Sequence, residues 1–319
     1  MSVIKAIDVN KIYSINKKSN KLFGKKEKEE MHAVSNLNME IEMGEMVGFI
    51  GPNGAGKSTT LKMLSGILNP TSGLIEVNGF YPYKREKKFL KDIAIIMGQK
   101  NQLEWDLTPY ESYEINRIIY DISKDDFNKH LNEMVEMMEV ERFLHVPVMT
   151  LSAGERMKME IINSLIHNPK VIFLDEPTIG LDIVSQNKLY KFIKSYKKKN
   201  NVTMLLTSHY LGDIKSLCER LVIINKGKKI FDDDVSKLSK IYSDEKVITL
   251  NLSNPVDEKL MDGFGKYSKI SDCSLEIREK ESNVQQVIAK LREVFGNSLN
   301  NINISDEPIE EIVCKIFES

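Results

Sequence analysis

Cysteine is scarce in this chain of 319 residues. The three cysteines, Cys218, Cys273 and Cys314, lie far apart and form no C-x-x-C pair. Disulfide frameworks and structural zinc sites need cysteines at close or regular spacings, so the sequence excludes both kinds of protein. We expect reduced thiols, as in a protein of the cytosol.

Long apolar runs and excess charge are also missing. No apolar run reaches the about 18 residues that a membrane-spanning helix needs, and the N-terminus lacks a signal-peptide pattern. Any role at a membrane is therefore expected to depend on a partner protein. The formal net charge of −1 gives no overall attraction to nucleic acid, so no nucleic-acid partner is expected. With 41% apolar and 29% charged residues, the composition is that of a soluble protein with substantial cores.

The strongest motif is a glycine-rich segment that reads Gly51-Pro52-Asn53-Gly54-Ala55-Gly56-Lys57-Ser58-Thr59. It stands between an apolar run and residues with helical spacing, which is the context of the phosphate-binding pattern G-x-x-x-x-G-K-[ST]. Glycines let several backbone N–H groups converge on one oxyanion, and the helix adds its positive end. Lys57 supplies a mobile cation and Ser58 an oxygen ligand for Mg²⁺. The segment predicts binding of a nucleoside triphosphate.

Two carboxylates, Asp175 and Glu176, follow an apolar strand predicted over 171–174. Adjacent acids directly after apolar residues are costly unless a metal or a substrate requires them. We expect Asp175 to hold Mg²⁺ and Glu176 to orient and deprotonate the attacking water. His209 ends a second apolar strand and is predicted to reach the γ-phosphate from the same edge of the sheet.

The segment Leu151–Glu155 precedes another predicted helix and allows two interpretations. Ser152 and Glu155 have the spacing of an ordinary capping box. The same residues also offer a helix N-terminus to a phosphate, with Gly154 allowing a close approach of the backbone. The residues alone leave both interpretations open.

Six motifs in one order resemble the ATP-binding cassette of ABC transporters, namely 51–59, Gln99, 151–155, 171–177, 180–182 and His209. The resemblance implies an α/β fold of the P-loop NTPase type, with a mixed, mostly parallel core sheet. It also implies an antiparallel β subdomain and a helical subdomain over about 100–166. The alternation of strands and helices after 166 agrees with a mostly parallel sheet. The implied activity is ATP hydrolysis with Mg²⁺.

The resemblance also implies roles for single residues. Tyr13 would stack on adenine, and Gln99 would contact Mg²⁺ and the attacking water while linking the cassette to a permease. Asp182 would cross the interface of a dimer. Ser152, Ala153 and Gly154 of the signature would clamp the γ-phosphate of ATP bound by the other subunit, and Glu155 completes this part of the nucleotide site.

Two departures from the family pattern concern the signature, which usually reads L-S-G-G-Q. Ala153 replaces a glycine and Glu155 replaces the glutamine. Alanine is small and Glu155 keeps the capping geometry, so we expect an active site. Glu176 and His209 are both present, which favours a homodimer over an asymmetric pair with one degenerate cassette.

Weaker motifs at 154–158 and 174–182, and the tail after 240, are similar to ATPase subunits of bacterial drug and polysaccharide exporters. In those systems the permease is a separate membrane protein. We therefore expect an ATPase subunit at the inner face of the cell membrane that dimerises on ATP and powers an exporter. An importer ATPase and a nucleotide-dependent switch outside transport are the alternatives. Members of this family that act as switches outside transport carry two cassettes or a long coiled coil between the glycine motifs, and this sequence shows neither feature.

The remaining segments suggest a division into two domains. A composition shift near 240–245 predicts an ATP-binding domain over 1–244 and an accessory domain over 245–319. The pattern of the second domain, with its first helix at 255–262, is ferredoxin-like.

At the N-terminus, the pattern of residues 2–15 predicts an edge strand. The charged segment 16–30, with six lysines and three glutamates, predicts a mobile surface loop.

Overall fold

The computed structural model describes residues 2–17, 27–98, 102–256, 258–261, 264 and 266–318. The chain forms two compact units, Met1–Val235 and Ser236–Ser319. The boundary predicted between 244 and 245 lies inside the second unit. Within the described ranges, no helix combines the length and the apolarity needed to cross a bilayer.

The strands and helices of the first unit are, in chain order, β1 (Ser2–Lys17), β2 (Glu27–Glu42), β3 (Met46–Ile50), α1 (Lys57–Leu64), β4 (Ser72–Val77), α2 (Lys87–Asp92), β5 (Ile93–Met97), α3 (Pro109–Ile119), α4 (Lys124–Met138), α5 (Ala153–Leu165), β6 (Val171–Asp175), α6 (Ile183–Asn200), β7 (Thr203–Thr207), α7 (Leu211–Leu217), β8 (Arg220–Asn225) and β9 (Lys228–Asp234). These elements form two sheets and a group of helices between β5 and β6.

The larger sheet has the strand order β5-β6-β7-β3-β8-β9. Its first five strands are parallel, and β9 joins β8 in the antiparallel direction. Every residue of β3 and β7 is buried, as expected for parallel strands that are covered on both faces. The carboxyl ends of β3, β6 and β7 meet at one edge of the sheet, where ligands of such folds bind. The predicted mixed, mostly parallel sheet is confirmed.

The smaller sheet is antiparallel, with the order β2-β1-β4. The prediction of an edge strand for 2–15 is therefore wrong, because β1 is the central strand. The loop predicted over 16–30 is also partly wrong, since the ribbon of β1 and β2 continues until Lys17 faces Glu27. Cross-strand pairing satisfies the backbone there whatever the charge of the side chains. Residues 18–26 of the predicted loop lie outside the described residues.

The helices α3, α4 and α5 form the predicted helical subdomain. Capping boxes begin two of them, with Thr108 and Glu111 at α3 and Ser152 and Glu155 at α5. In α4 the predicted apolar face is buried, including its methionines. The hydroxyl of Tyr113 on α3 donates a hydrogen bond of 3.0 Å to the carbonyl of Met159, which joins α3 to α5.

The second unit contains α8 (Lys237–Tyr242), β10 (Glu245–Leu252), β11 (Tyr267–Ser271), β12 (Ser274–Lys280), α9 (Val284–Phe295), β13 (Leu299–Asp306) and α10 (Ile309–Glu318). Its sheet has the order β11-β12-β10-β13 with every pair antiparallel, which is the split β-α-β order of ferredoxin-like folds. Ile248, Ile277 and Leu291 lie in its core. The predicted helix at 255–262 is reduced, in its described part, to the 3₁₀ turn Glu258–Met261.

Candidate functional site

The glycine-rich segment joins the end of β3 to the start of α1, as its pattern predicts. Gly56 caps α1 at φ 107°, and a Cβ atom at this position would lie 2.4 Å from the carbonyl oxygen of Ala33. Only glycine combines this left-handed backbone with so close an approach. The segment therefore places the first backbone N–H groups of α1 at the carboxyl edge of the large sheet.

Lys57 is the cation of this segment. It is buried, with 6% of its surface exposed, and its Nζ donates to the carbonyl oxygens of Gly51 at 2.6 Å and Pro52 at 3.2 Å. Burial lowers the pKa of Lys57, while the charges of Glu176 and Asp175 oppose that shift. The amine thus lies in the field of both predicted carboxylates.

Asp175 connects three chain segments at this edge. Its Oδ1 accepts hydrogen bonds from Thr207 Oγ1 at 2.5 Å and from Ser58 Oγ at 3.3 Å. Asp175 and Thr207 end neighbouring parallel strands and face each other in register. Sequence reasoning missed Thr207, although its place at the end of an apolar strand beside the strand of Asp175 was the available signal.

The donors around Asp175 suit Mg²⁺. A carboxylate and a hydroxyl are hard oxygen ligands, and Mg²⁺ in nucleotide sites typically takes one or two carboxylates together with phosphate oxygens. The described part of the chain contains no group of three or more His, Cys, Asp or Glu side chains arranged around a metal position. Ser58 and Asp175 therefore fit a Mg²⁺ ion that takes further oxygen ligands from a nucleotide.

Glu176 and His209 lie side by side. His209 Nδ1 is 3.0 Å from Glu176 Oε2, and the side chains are 57% and 23% exposed, respectively. Glu176 has the left-handed φ of 52°, which is uncommon for a residue with a side chain, and its N–H donates to the carbonyl of Thr207 at 3.0 Å. The sequence prediction that both residues reach the same edge of the sheet agrees with this geometry.

Gly98 packs directly behind the two acids. Its N–H donates to the carbonyl of Asp175 at 2.9 Å, and a Cβ atom at this position would lie 2.1 Å from the carbonyl oxygen of Glu176. The next residue, Gln99, lies outside the described residues. Its predicted roles toward Mg²⁺, water and a permease stay predictions.

Tyr13 lies on β1 of the antiparallel sheet, opposite Met31 of β2. The side chain is half-buried, and the Nζ of Lys11 lies 5.3 Å from the centre of its ring. A cation at this distance from a ring is attracted by its π-face. Stacking of Tyr13 on adenine stays a prediction.

The signature residues form a second centre at the start of α5. Ser152 Oγ accepts from the N–H of Glu155 at 3.4 Å, and Glu155 Oε2 accepts from Ser152 N at 2.9 Å and from Ser152 Oγ at 2.7 Å. The hydrogen bonds from Ser152 lower the pKa of Glu155. Ala153 and Gly154 form the first turn of the helix. The capping interpretation is therefore correct, and it leaves the phosphate interpretation open.

A pocket of about 760 Å³ adjoins this helix start. Among its lining residues are the four signature residues together with Gly180 and Asp182. Asp182 caps α6 through a hydrogen bond of 2.9 Å from Ser185 N, and these local bonds lower its pKa. A Cβ atom at Gly154 would lie 2.9 Å from Ser185 Oγ, so the starts of α5 and α6 meet closely. The described lining contains none of residues 51–59, so the predicted site residues fall into two centres.

Known proteins are similar to this chain in sequence and in fold. Residues 34–179 match the family model described as ABC transporter. The ABC transporter ATP-binding protein NatA of Bacillus subtilis (strain 168) is 31% identical over 224 residues, which cover 70% of this chain and 89% of NatA. The bacitracin transport ATP-binding protein BcrA of Bacillus licheniformis is 31% identical over 322 residues, with 99% of this chain and 97% of BcrA covered.

A solved structure extends the likeness. A dimeric ATP-binding cassette in a post-hydrolysis state, bound to ADP and Pi, superposes with a TM-score of 0.62 at 26% identity. The match covers 73% of this chain and 98% of that one. The fold and the phosphate-loop centre thus define an ATP-binding cassette with ATPase activity.

The family assignment follows from these likenesses. This chain belongs to the ABC transporter family, as an ATP-binding subunit. Subunits of this family act together with membrane permeases and form dimers.

Proposed function

We propose that this chain is the ATPase subunit of an exporter whose permease is a separate protein, and that it works as a homodimer on the cytoplasmic face of the membrane. The observation that carries this proposal is the match to BcrA, a bacitracin transport protein, along 99% of this chain. That match includes the second unit as well as the cassette, so it concerns the whole architecture. A drug-like or peptide-like cargo is the corresponding substrate class.

The residues of the phosphate-loop centre have separate tasks in this proposal. Glu176 accepts a proton from the attacking water, and His209, 3.0 Å from its carboxylate, helps to hold that water in line. Lys57 and the N–H groups of residues 51–59 balance the negative charge that builds up on the phosphates. Ser58 and Asp175 would hold Mg²⁺, with Gln99 beside it, and the ion would supply further positive charge at the phosphate oxygens.

The signature centre acts on ATP held by the other subunit. Each chain has one phosphate loop and one signature, and each presents a helix N-terminus. A two-fold dimer would bring the loop of one chain to the signature of the other and create two equal sites. Two observations support this proposal, namely the separate position of the pocket at α5 and the dimeric state of a related cassette. Asp182, which lines that pocket, would then lie at the interface.

Mixed dimers test this arrangement. Lys57→Ala removes the phosphate cation, and Gly154→Asp directs a carboxylate into the pocket at α5. Each variant is expected to be inactive as a homodimer. When the two are mixed, half of the dimers contain one site with an intact loop and an intact signature, so about a quarter of wild-type ATPase activity returns if the sites are independent.

Complementation decides between shared and separate sites. Occlusion of radiolabelled ATP should be followed beside turnover, because cooperativity between sites can suppress steady-state rates. Subunit exchange is checked with two affinity tags. If exchange occurs and neither occlusion nor turnover returns, the shared site is disproved.

The direction of transport can be measured only together with the membrane permease. The chain should be purified with its membrane from mild detergent, and the polytopic protein that copurifies should be reconstituted with it in vesicles. With this subunit on the outside of the vesicles, ATP should drive a drug or peptide cargo inward, as expected for an exporter. Outward movement of a solute that requires a solute-binding protein inside the vesicles would establish an importer instead. If no membrane protein copurifies, a nucleotide-dependent switch outside transport would be favoured.

A further inference from the structure

One buried acid lies outside the residues discussed so far. Asp213, on α7, has no exposed surface and accepts three hydrogen bonds. Its Oδ2 accepts from Thr178 Oγ1 at 2.7 Å and from Ser208 Oγ at 2.6 Å, and its Oδ1 accepts from the hydroxyl of Tyr190. A buried carboxylate is costly unless its oxygens are satisfied, and here both are.

Two of the three partners of Asp213 belong to the segments that carry the predicted catalytic pair. Thr178 follows Glu176 by two residues, and Ser208 directly precedes His209. One carboxylate oxygen receives both hydroxyls, so the two segments are joined through a single atom. The hydroxyl of Ser208 also accepts from the N–H of Tyr210 at 2.9 Å, which fixes the backbone on the far side of His209.

A second link lies on the other side of the pair. Thr207 Oγ1 donates a hydrogen bond of 2.5 Å to Asp175. Asp175 directly precedes Glu176, and Thr207 precedes His209 by two residues. The two segments of the catalytic pair are therefore joined at two places. Thr207 and Asp175 join them at the strand ends, and Asp213 joins them through Thr178 and Ser208. Glu176 has an unfavourable left-handed backbone, so an outside constraint is needed to keep its carboxylate at one place.

We infer that Asp213 is a positioning residue that fixes the separation of Glu176 and His209 by holding Thr178 and Ser208 together. The inference rests on the proposed roles of Glu176 and His209 in ATP hydrolysis. Tyr190 has a different place in the same cluster, because it lies on α6 and donates to the other carboxylate oxygen of Asp213, Oδ1. Its pKa is raised by burial and by its bond to Asp213, so it stays a donor.

Variants of Thr178 give the cleanest test, because they leave the buried acid in place. Thr178→Val keeps the shape and removes the donor, whereas Thr178→Ser keeps the donor. Asp213→Asn removes the charge and one acceptor, and Tyr190→Phe is the control that removes a bond on the side of α6. Each full-length variant is examined for its melting temperature, the amount of ATP bound per chain and the single-turnover rate of bound ATP.

The expected result is a loss of rate at unchanged occupancy. Displacements of about 1 Å in catalytic groups cost up to about 100-fold, so Thr178→Val and Asp213→Asn should slow hydrolysis of bound ATP by about 10–100-fold. ATP occupancy should stay within about twofold, since Lys57 and residues 51–59 are untouched. Thr178→Ser and Tyr190→Phe should keep rates within about threefold of wild type.

Other outcomes overturn the inference. If Thr178→Val and Asp213→Asn lower the melting temperature and the occupancy while the bound ATP turns over at the normal rate, Asp213 is a structural residue only. Equal loss of rate in Tyr190→Phe and Thr178→Val would also contradict a link specific to the catalytic pair. Failure of the proposed roles of the catalytic pair is recognised separately, because Glu176→Gln would then hydrolyse bound ATP at the wild-type single-turnover rate.

Discussion

The two centres of the cassette are built in different ways. In the phosphate-loop centre, Asp175 is bound by hydroxyls that are distant in sequence, Ser58 and Thr207, and Lys57 is almost fully buried. In the signature centre, the polar groups satisfy each other over three residues, Ser152 with Glu155 and Asp182 with Ser185. The first centre is held by the tertiary fold, and the second by local capping at two helix starts.

On the proposed function, this difference would separate chemistry from assembly. Catalysis requires accurately positioned groups, and side chains that are held by several strands satisfy this requirement. Exposed helix starts beside an open pocket instead meet the demand of receiving a group from outside the chain. Changes in the first centre should therefore alter the rate of hydrolysis, and changes in the second should alter the ATP-driven dimer.

The largest effect is expected for Glu176→Gln. Loss of the base should lower ATP turnover by roughly 10²–10⁴-fold while ATP binding stays intact. Turnover is measured by phosphate release and binding by equilibrium dialysis. Glu111→Gln, which alters a capping carboxylate of α3, is the matched control and should keep its activity. Near-normal hydrolysis in Glu176→Gln would remove the base from this centre.

Tyr13→Ala tests a residue that neither centre holds in place. If its ring stacks on adenine, the substitution should weaken ATP binding by about 1–2 kcal/mol, and Tyr13→Phe should have almost no effect. Binding of a fluorescent ATP analogue gives both values. Equal losses from the two substitutions would assign importance to the hydroxyl of Tyr13 instead of stacking by its ring.

Ser152→Ala tests whether the signature cap has a role beyond folding. Loss of a helix cap should lower the free energy of unfolding by about 1 kcal/mol. Thr108→Ala removes the equivalent cap of α3 and should cost the same. Only Ser152→Ala should reduce the fraction of ATP-bound dimer, measured by light scattering. An equal reduction in both variants would make the effect one of stability.

The same cap predicts a dependence on pH. The pKa of Glu155 is lowered in the folded chain by its bonds to Ser152, so its contribution is present above the ordinary pKa of 4.5. It is lost as the pH falls through the lowered value, because the folded state then takes up the proton as well. The difference in unfolding free energy between wild type and Ser152→Ala should therefore shrink in acid. A constant difference down to the lowest accessible pH would contradict this assignment.

The smallest effect is expected from removal of the second unit. A chain that ends at Val235 retains both centres and should bind ATP with an affinity within about twofold of the full chain. Isothermal calorimetry on both lengths provides the comparison. Loss of ATP binding in a folded, shortened chain would show that the second unit supports the site.

Features with local causes could be predicted from the sequence. The capping boxes at Thr108 and Ser152 depend on residues three apart, and both are present. The phosphate loop was found because its glycines and Lys57 form one continuous pattern. The strand order of the second unit followed from the order of its elements, since the ferredoxin-like arrangement is set by that order.

Features that depend on residues far apart in the sequence could not be predicted from it. The strands β1 and β2 continue into charged residues because they pair with each other, and composition alone does not reveal a partner strand. Thr207 and Asp213 bind groups that are 32 and 35 residues away, so no local pattern marks them as part of the site. For Asp213 the one signal was an acid among the apolar positions of α7, Leu211, Ile214 and Leu217.

Gly98 has a consequence for the variation that this cassette tolerates. Any side chain there would overlap the carbonyl oxygen of Glu176, at 2.1 Å from the Cβ position, and that oxygen belongs to the backbone. Relief would require the peptide of the proposed base to move, and the hydrogen bond of Gly98 to Asp175 would move with it. In a library randomised at position 98 and selected for ATPase-dependent growth, even alanine should disappear. Survivors with larger residues would carry a second change at the turn that follows β6.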